Sequence, residues 1–122
     1  MDLVLSSLPK TWILDLDGTM VKHNGYLYGQ DELLAGVKDF VDSIPAQDFI
    51  LILTARGRDV EQQTVAFLND NQIRFDQIIF GLPIGERIII NDCKPSGLET
   101  AIAVNTLRDS ALIINVRIDE EL

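Results

Sequence analysis

One cysteine, one histidine, few cations and no long apolar run set the first limits on this 122-residue chain. Cys93 alone excludes an internal disulfide and fits a reducing cytoplasm. His23 is a lone histidine, which reads as a surface residue and not a ligand, and is left out of the chemistry. No stretch approaches the ~18 continuous apolar residues that span a bilayer. Met1-Asp2-Leu3-Val4 lacks the basic start and small-residue cleavage site of a secretory signal. Ten Lys and Arg face nineteen Asp and Glu, a net charge of −9. Such a surface repels nucleic acid and anionic membrane, so neither is an expected partner. Repeats, low-complexity tracts and linkers are also missing.

What remains is an ordinary globular composition, 47% hydrophobic and 24% charged. At this length residues 1–122 make a single domain with one core. Short apolar runs recur at Trp12–Leu14, Ile50–Leu53, Ile78–Phe80, Ile88–Ile90, Ala101–Val104 and Leu112–Ile114, and each reads as a strand buried on both faces. Helical periodicity covers 31–43, with Leu33, Leu34, Val37, Phe40, Val41 and Ile44 on one stripe before Pro45. A second helix is expected over 58–70, its stripe formed by Val60, Thr64, Phe67 and Leu68. Strands alternating with helices predict an α/β fold, a three-layer sandwich around a mostly parallel sheet. The later connections are too short for parallel crossovers, so antiparallel pairing is expected there. Asn24-Gly25 between hydrophobic neighbours signals a hairpin over 20–29.

Three apolar runs end in chemistry. Trp12-Ile-Leu-Asp-Leu-Asp-Gly-Thr19 leads a strand into two carboxylates, Asp15 and Asp17, whose alternate spacing puts them on one side. Like charges this close call for a cation between or beside them. Ile50-Leu-Ile-Leu-Thr-Ala-Arg-Gly-Arg58 ends in Thr54, whose hydroxyl either caps a helix or, with the Ala55 N–H, holds phosphate oxygens. Arg56 and Arg58 follow as substrate-facing cations or exposed helix-start arginines. Arg87-Ile-Ile-Ile-Asn-Asp-Cys-Lys-Pro95 ends in Asp92, a metal ligand or a turn residue.

Together these stretches resemble the motifs of the haloacid-dehalogenase-like superfamily of Mg²⁺-dependent phosphotransferases. The resemblance implies a Rossmann-like core with a flap hairpin after the first strand. It assigns Asp15 as nucleophile and Asp17 as general acid and base, with Asp15, Asp17 (through its carbonyl) and Asp92 holding Mg²⁺. Thr54, Ala55 and a lysine would hold the phosphate. Leu82 stands where relatives carry that lysine, and Lys94 or Arg87 is left to replace it. Spacing favours Lys94, because a strand from Arg87 to Asp92 would separate them by roughly 16 Å. Neither gap between motifs accommodates a cap domain, so the chain looks like a small capless phosphatase. Residues 81–108 are also similar to phosphatases associated with capsule or surface-polysaccharide synthesis. The implied substrate is a sugar phosphate or related metabolite, with a protein phosphate as alternative. A large substrate or a neighbouring subunit in a homo-oligomer would close the open cleft. Two other classes compete. A phosphoacceptor receiver domain is disfavoured because the middle strand ends in Thr54 rather than an aspartate. A binding protein that has lost catalysis is suggested by Leu82 and Asn91.

Overall fold

The computed structural model describes all 122 residues as an α/β chain built from two small parallel sheets. The larger sheet has three strands in the order β2 (Thr11–Asp15), β3 (Phe49–Leu53), β4 (Gln77–Ile79). Between them run α2 (Val37–Ser43) and α3 (Glu61–Asp70), the latter entered through a 3-10 turn over Arg58–Val60. Before α2 lies a single helical turn, α1 (Gly25–Tyr28). The second sheet is a ribbon of two, β1 (Asp2–Leu5) beside β5 (Asn115–Ile118).

Sequential strand order explains the layering. Successive right-handed crossovers that step in one direction put both helices on one face. That face carries Trp12, Leu14, Ile50, Ile52 and Ile78, which join Val37, Phe40 and Val41 of α2 and Leu68 of α3 in one core. The opposite face carries Ile13, Phe49 and Ile79, all more than a third exposed. The observed architecture therefore has two layers over this sheet, where strands buried on both faces were expected.

Three expected strands do not form. Ile88–Ile90 and Ala101–Val104 lie in irregular, exposed chain, and Leu112–Ile114 leads into β5 without joining it. All strand pairings are parallel, so the expected antiparallel pairs among the later strands are absent. β1, which carries no long apolar run, pairs with a strand more than a hundred residues away.

Local chemistry accounts for two further corrections. Asn24-Gly25 makes no hairpin: the type I′ turn that Asn-Gly favours needs positive φ at both positions, and only Asn24, at 57°, adopts it. Gly25 instead begins α1. The antiparallel contact lies farther out, where Lys22 N–H donates to Glu32 O and Leu34 N–H to Met20 O. This pairing holds residues 31–34 extended and delays the helix expected from 31 until Val37. Gly36, with φ of 84°, makes the change of direction. Its missing Cβ also matters, since a side chain would collide with the backbone carbonyl of Leu112.

Candidate functional site

The carboxyl ends of β2 and β3 lie side by side, with Asp15 in register with Leu53. Asp15 is thus delivered to the rim where parallel sheets present ligand-binding residues. Its Oδ2 accepts from Thr19 Oγ1 at 2.9 Å. Its Oδ1 accepts from Arg87 Nη1 at 2.7 Å, in an ion pair whose side chains are 41% and 34% exposed. Gly18, with φ of 83°, turns the chain out of the strand between Asp17 and Thr19. The returning segment clamps this loop: Asp109 N–H donates to Gly18 O, and His23 N–H to the Asp109 carboxylate.

Arg56 is the organising residue of the rim. It is buried, only 3% exposed, and all five of its N–H donors are used. Nε and Nη2 donate to the two oxygens of Asp17 at 3.0 and 2.8 Å. Nη1 and Nη2 donate to the two oxygens of Asp31 at 2.9 and 2.7 Å. The last Nη1 proton goes to Thr64 Oγ1 at 3.0 Å. The Tyr26 ring lies 4.0 Å from the guanidinium carbon, a cation–π contact. Burial works against this charge, but the hydrogen bonds that Arg56 donates to Asp31 and Asp17, with the attraction of the two carboxylates, more than offset it, and the pKa is held above the ordinary arginine value.

This geometry corrects the reading of Arg56 as substrate-facing. A guanidinium has five donors, and none is left for a phosphate. Arg58 is exposed at the start of the 3-10 turn and is held by no side-chain hydrogen bond or ion pair. Thr54 is 1% exposed, and its Oγ1 accepts from Arg56 N–H at 3.0 Å, so the hydroxyl shapes the turn after β3. Ala55 beside it is exposed, and its N–H has no partner within the chain.

Asp92 and Lys94 are not brought to this rim by a strand, because Ile88–Ile90 does not enter the sheet. They sit on an exposed loop where Thr100 Oγ1 donates to Asp92 O and Lys94 N–H to Leu98 O. Arg87 reaches Asp15 for the same reason: freed from a strand, it crosses over the carboxyl end. A separation of roughly 16 Å between Arg87 and Asp92 requires an extended strand, and none forms there. Asp15, Asp17 and Asp92 do not assemble, and no group of three or more acidic, His or Cys side chains is arranged to hold a metal ion.

The Mg²⁺ implied by the resemblance does not fit the residues in this arrangement. One carboxylate oxygen of Asp15 faces Arg87 at ion-pair distance, where a metal would otherwise sit, and Asp92 stays on its exposed loop instead of ending a strand at the rim.

Asp31, Thr64 and Tyr26 were not singled out from the sequence. Thr64 had one signal: a hydroxyl on an otherwise apolar helical stripe needs a polar partner once buried. No protein-family model, curated protein or solved structure matches the chain.

Proposed function

We propose that this chain is a phosphomonoester hydrolase of the haloacid-dehalogenase-like type, with Asp15 as nucleophile. The supporting observation is an accessible carboxylate at a parallel-strand carboxyl end, touching an equally accessible guanidinium. An exposed ion pair of this kind contributes only about 0–1 kcal/mol to stability, so its members are free to exchange partners. Arg87 can hand one or two N–H donors to a phosphate, for which a planar guanidinium is well shaped. The free Ala55 N–H supplies another donor.

In this reading an Asp15 oxygen attacks phosphorus, forming an acyl-phosphate P–O bond as the ester P–O bond breaks. The departing alkoxide takes a proton from solvent at the open rim, and water then hydrolyses the acyl phosphate. Asp17, bound through both oxygens to Arg56, orients the loop that carries Asp15. No step is assigned to Mg²⁺. A small phosphorylated metabolite such as a sugar phosphate is the substrate class left, because a net charge of −9 disfavours larger polyanions. The Rossmann-like core of the family belongs to the same proposal, supported by the parallel order of β2, β3 and β4 with α2 and α3 between them.

The clamped Asp17 favours a second reading, a phosphate-binding protein without turnover. The deciding experiment is phosphate release from p-nitrophenyl phosphate and a sugar-phosphate panel, between about pH 5 and 9, with and without Mg²⁺. Release that disappears in Asp15→Asn supports the hydrolase. No release under any condition, with phosphate binding lost in Arg87→Ala, establishes the second reading instead.

A further inference from the structure

The segment from Pro83 to Arg108 is the least satisfied part of the molecule. Only Lys94 and Gly97 donate backbone hydrogen bonds within it, and both bonds close the tight turn at its tip. Ile84, Ile88 and Ile90 are 94%, 80% and 91% exposed, and Leu107 is 81% exposed. A β-branched run with free amides on its edge is a template for strand pairing, and soluble chains cover such edges. Nothing in the chain itself covers this one.

Surface area gives the scale. The chain exposes 8195 Å², whereas a compact monomer of 13.6 kDa is expected to expose about 6,600 Å². The excess is roughly 1,600 Å², about twice the 800 Å² that each partner contributes to a standard interface. Charge narrows the occupant. Residues 84–107 carry Arg87 and Lys94 against Glu86, Asp92 and Glu99, close to balance, while the whole chain stands at −9. Two copies of so acidic a protein repel each other over most of their surfaces, and least across this arm.

We propose that the arm formed by residues 84–107 is a dimerisation element, which pairs along its Ile88–Ile90 edge with the same arm of a second copy. A twofold axis makes such an edge self-complementary, because antiparallel pairing returns each isoleucine to the other's isoleucines. Dimerisation through this arm is independent of any catalysis at the rim.

Sedimentation equilibrium and amide hydrogen exchange test it together. The wild type is expected to sediment at twice its chain mass, with the amides of 85–93 protected despite having no partner within the chain. Ile88→Asp/Ile90→Asp touches no buried side chain, so far-UV circular dichroism and Trp12 fluorescence should stay unchanged. In that variant the dimer dissociation constant should rise roughly thirtyfold or more, and exchange at 85–93 should accelerate about tenfold or more. A monomeric wild type overturns the proposal. So does a dimer indifferent to the two substitutions, or protection of 85–93 that persists in a monomeric variant, since the arm would then fold against its own chain.

Discussion

Arg56 carries one positive charge against two carboxylates, so the cluster it centres has a formal surplus of one negative charge. Asp31 is 6% exposed and Asp17 is 19% exposed, which leaves the surplus on the solvent side. Removing the cation would strand two partly desolvated carboxylates. Arg56→Met is therefore expected to lose about 3–5 kcal/mol of unfolding free energy in urea titration. Arg56→Lys should recover only a minor part of it, because one ammonium with three donors cannot serve Asp17, Asp31 and Thr64 in a plane. A loss below about 1 kcal/mol for the methionine variant would show the cluster to be solvated after all. Asp15 makes the opposite case. Its ion pair is exposed, so Asp15→Asn should change stability by no more than about 1 kcal/mol while abolishing any phosphate release. Loss of stability comparable to that of Arg56→Met would make Asp15 a structural residue.

At the scale of elements, what could be read depended on whether the cause was local. Ile50–Leu53 and Trp12–Leu14 are apolar runs between polar breakers, and both lie within strands of the larger sheet. Ile88–Ile90 is equally apolar and forms none. Strand formation needs a partner, and nothing in the run itself says whether one is present. The same limit applied at the rim. The strand-end position of Asp15 followed from the run before it. The partner of Asp17 lies 39 residues away and that of Arg56 at Asp31 lies 25 away, pairings that no local pattern encodes. Gly36 shows how one backbone position ties distant elements together. It starts α2 in a left-handed conformation while the Leu112 carbonyl presses on its empty side. Left-handed backbone costs a side-chain-bearing residue about 1–2 kcal/mol, and displacing Leu112 adds roughly 1–3 more. Gly36→Ala should accordingly lower unfolding free energy by at least about 2 kcal/mol, read as a shifted midpoint in chemical denaturation at unchanged slope. A neutral result would mean that residues 35–36 and 112 separate readily.

For the whole molecule, the division into two sheets determines which part opens first. The three-stranded sheet is closed on one face by α2 and α3, with Ile50 and Ile52 fully buried. The ribbon of β1 and β5 buries only Leu5 among its own residues, at 9% exposure. A cleft of ≈390 Å³ lined by Trp12, Phe40, Ile44, Val116 and Ile118 lies between the ribbon and the core. What fixes the ribbon is mainly backbone pairing, extended by Asn115 N–H to Met1 O and Asp119 N–H to Leu5 O, and by the Asn115 side chain on Asp2. Two-stranded sheets are marginal alone, because each strand has one partner and little apolar area to bury. Opening the ribbon should expose little new surface and leave the main sheet standing. Native-state hydrogen exchange should therefore show the amides of β1 and β5 exchanging through an opening nearly independent of denaturant. Those of Ile50 to Leu53 should exchange only through global unfolding, with a steep denaturant dependence. If both sets merge at the same free energy without added denaturant, the ribbon and core form one cooperative unit, and the cleft between them is bridged by packing stronger than its lining implies.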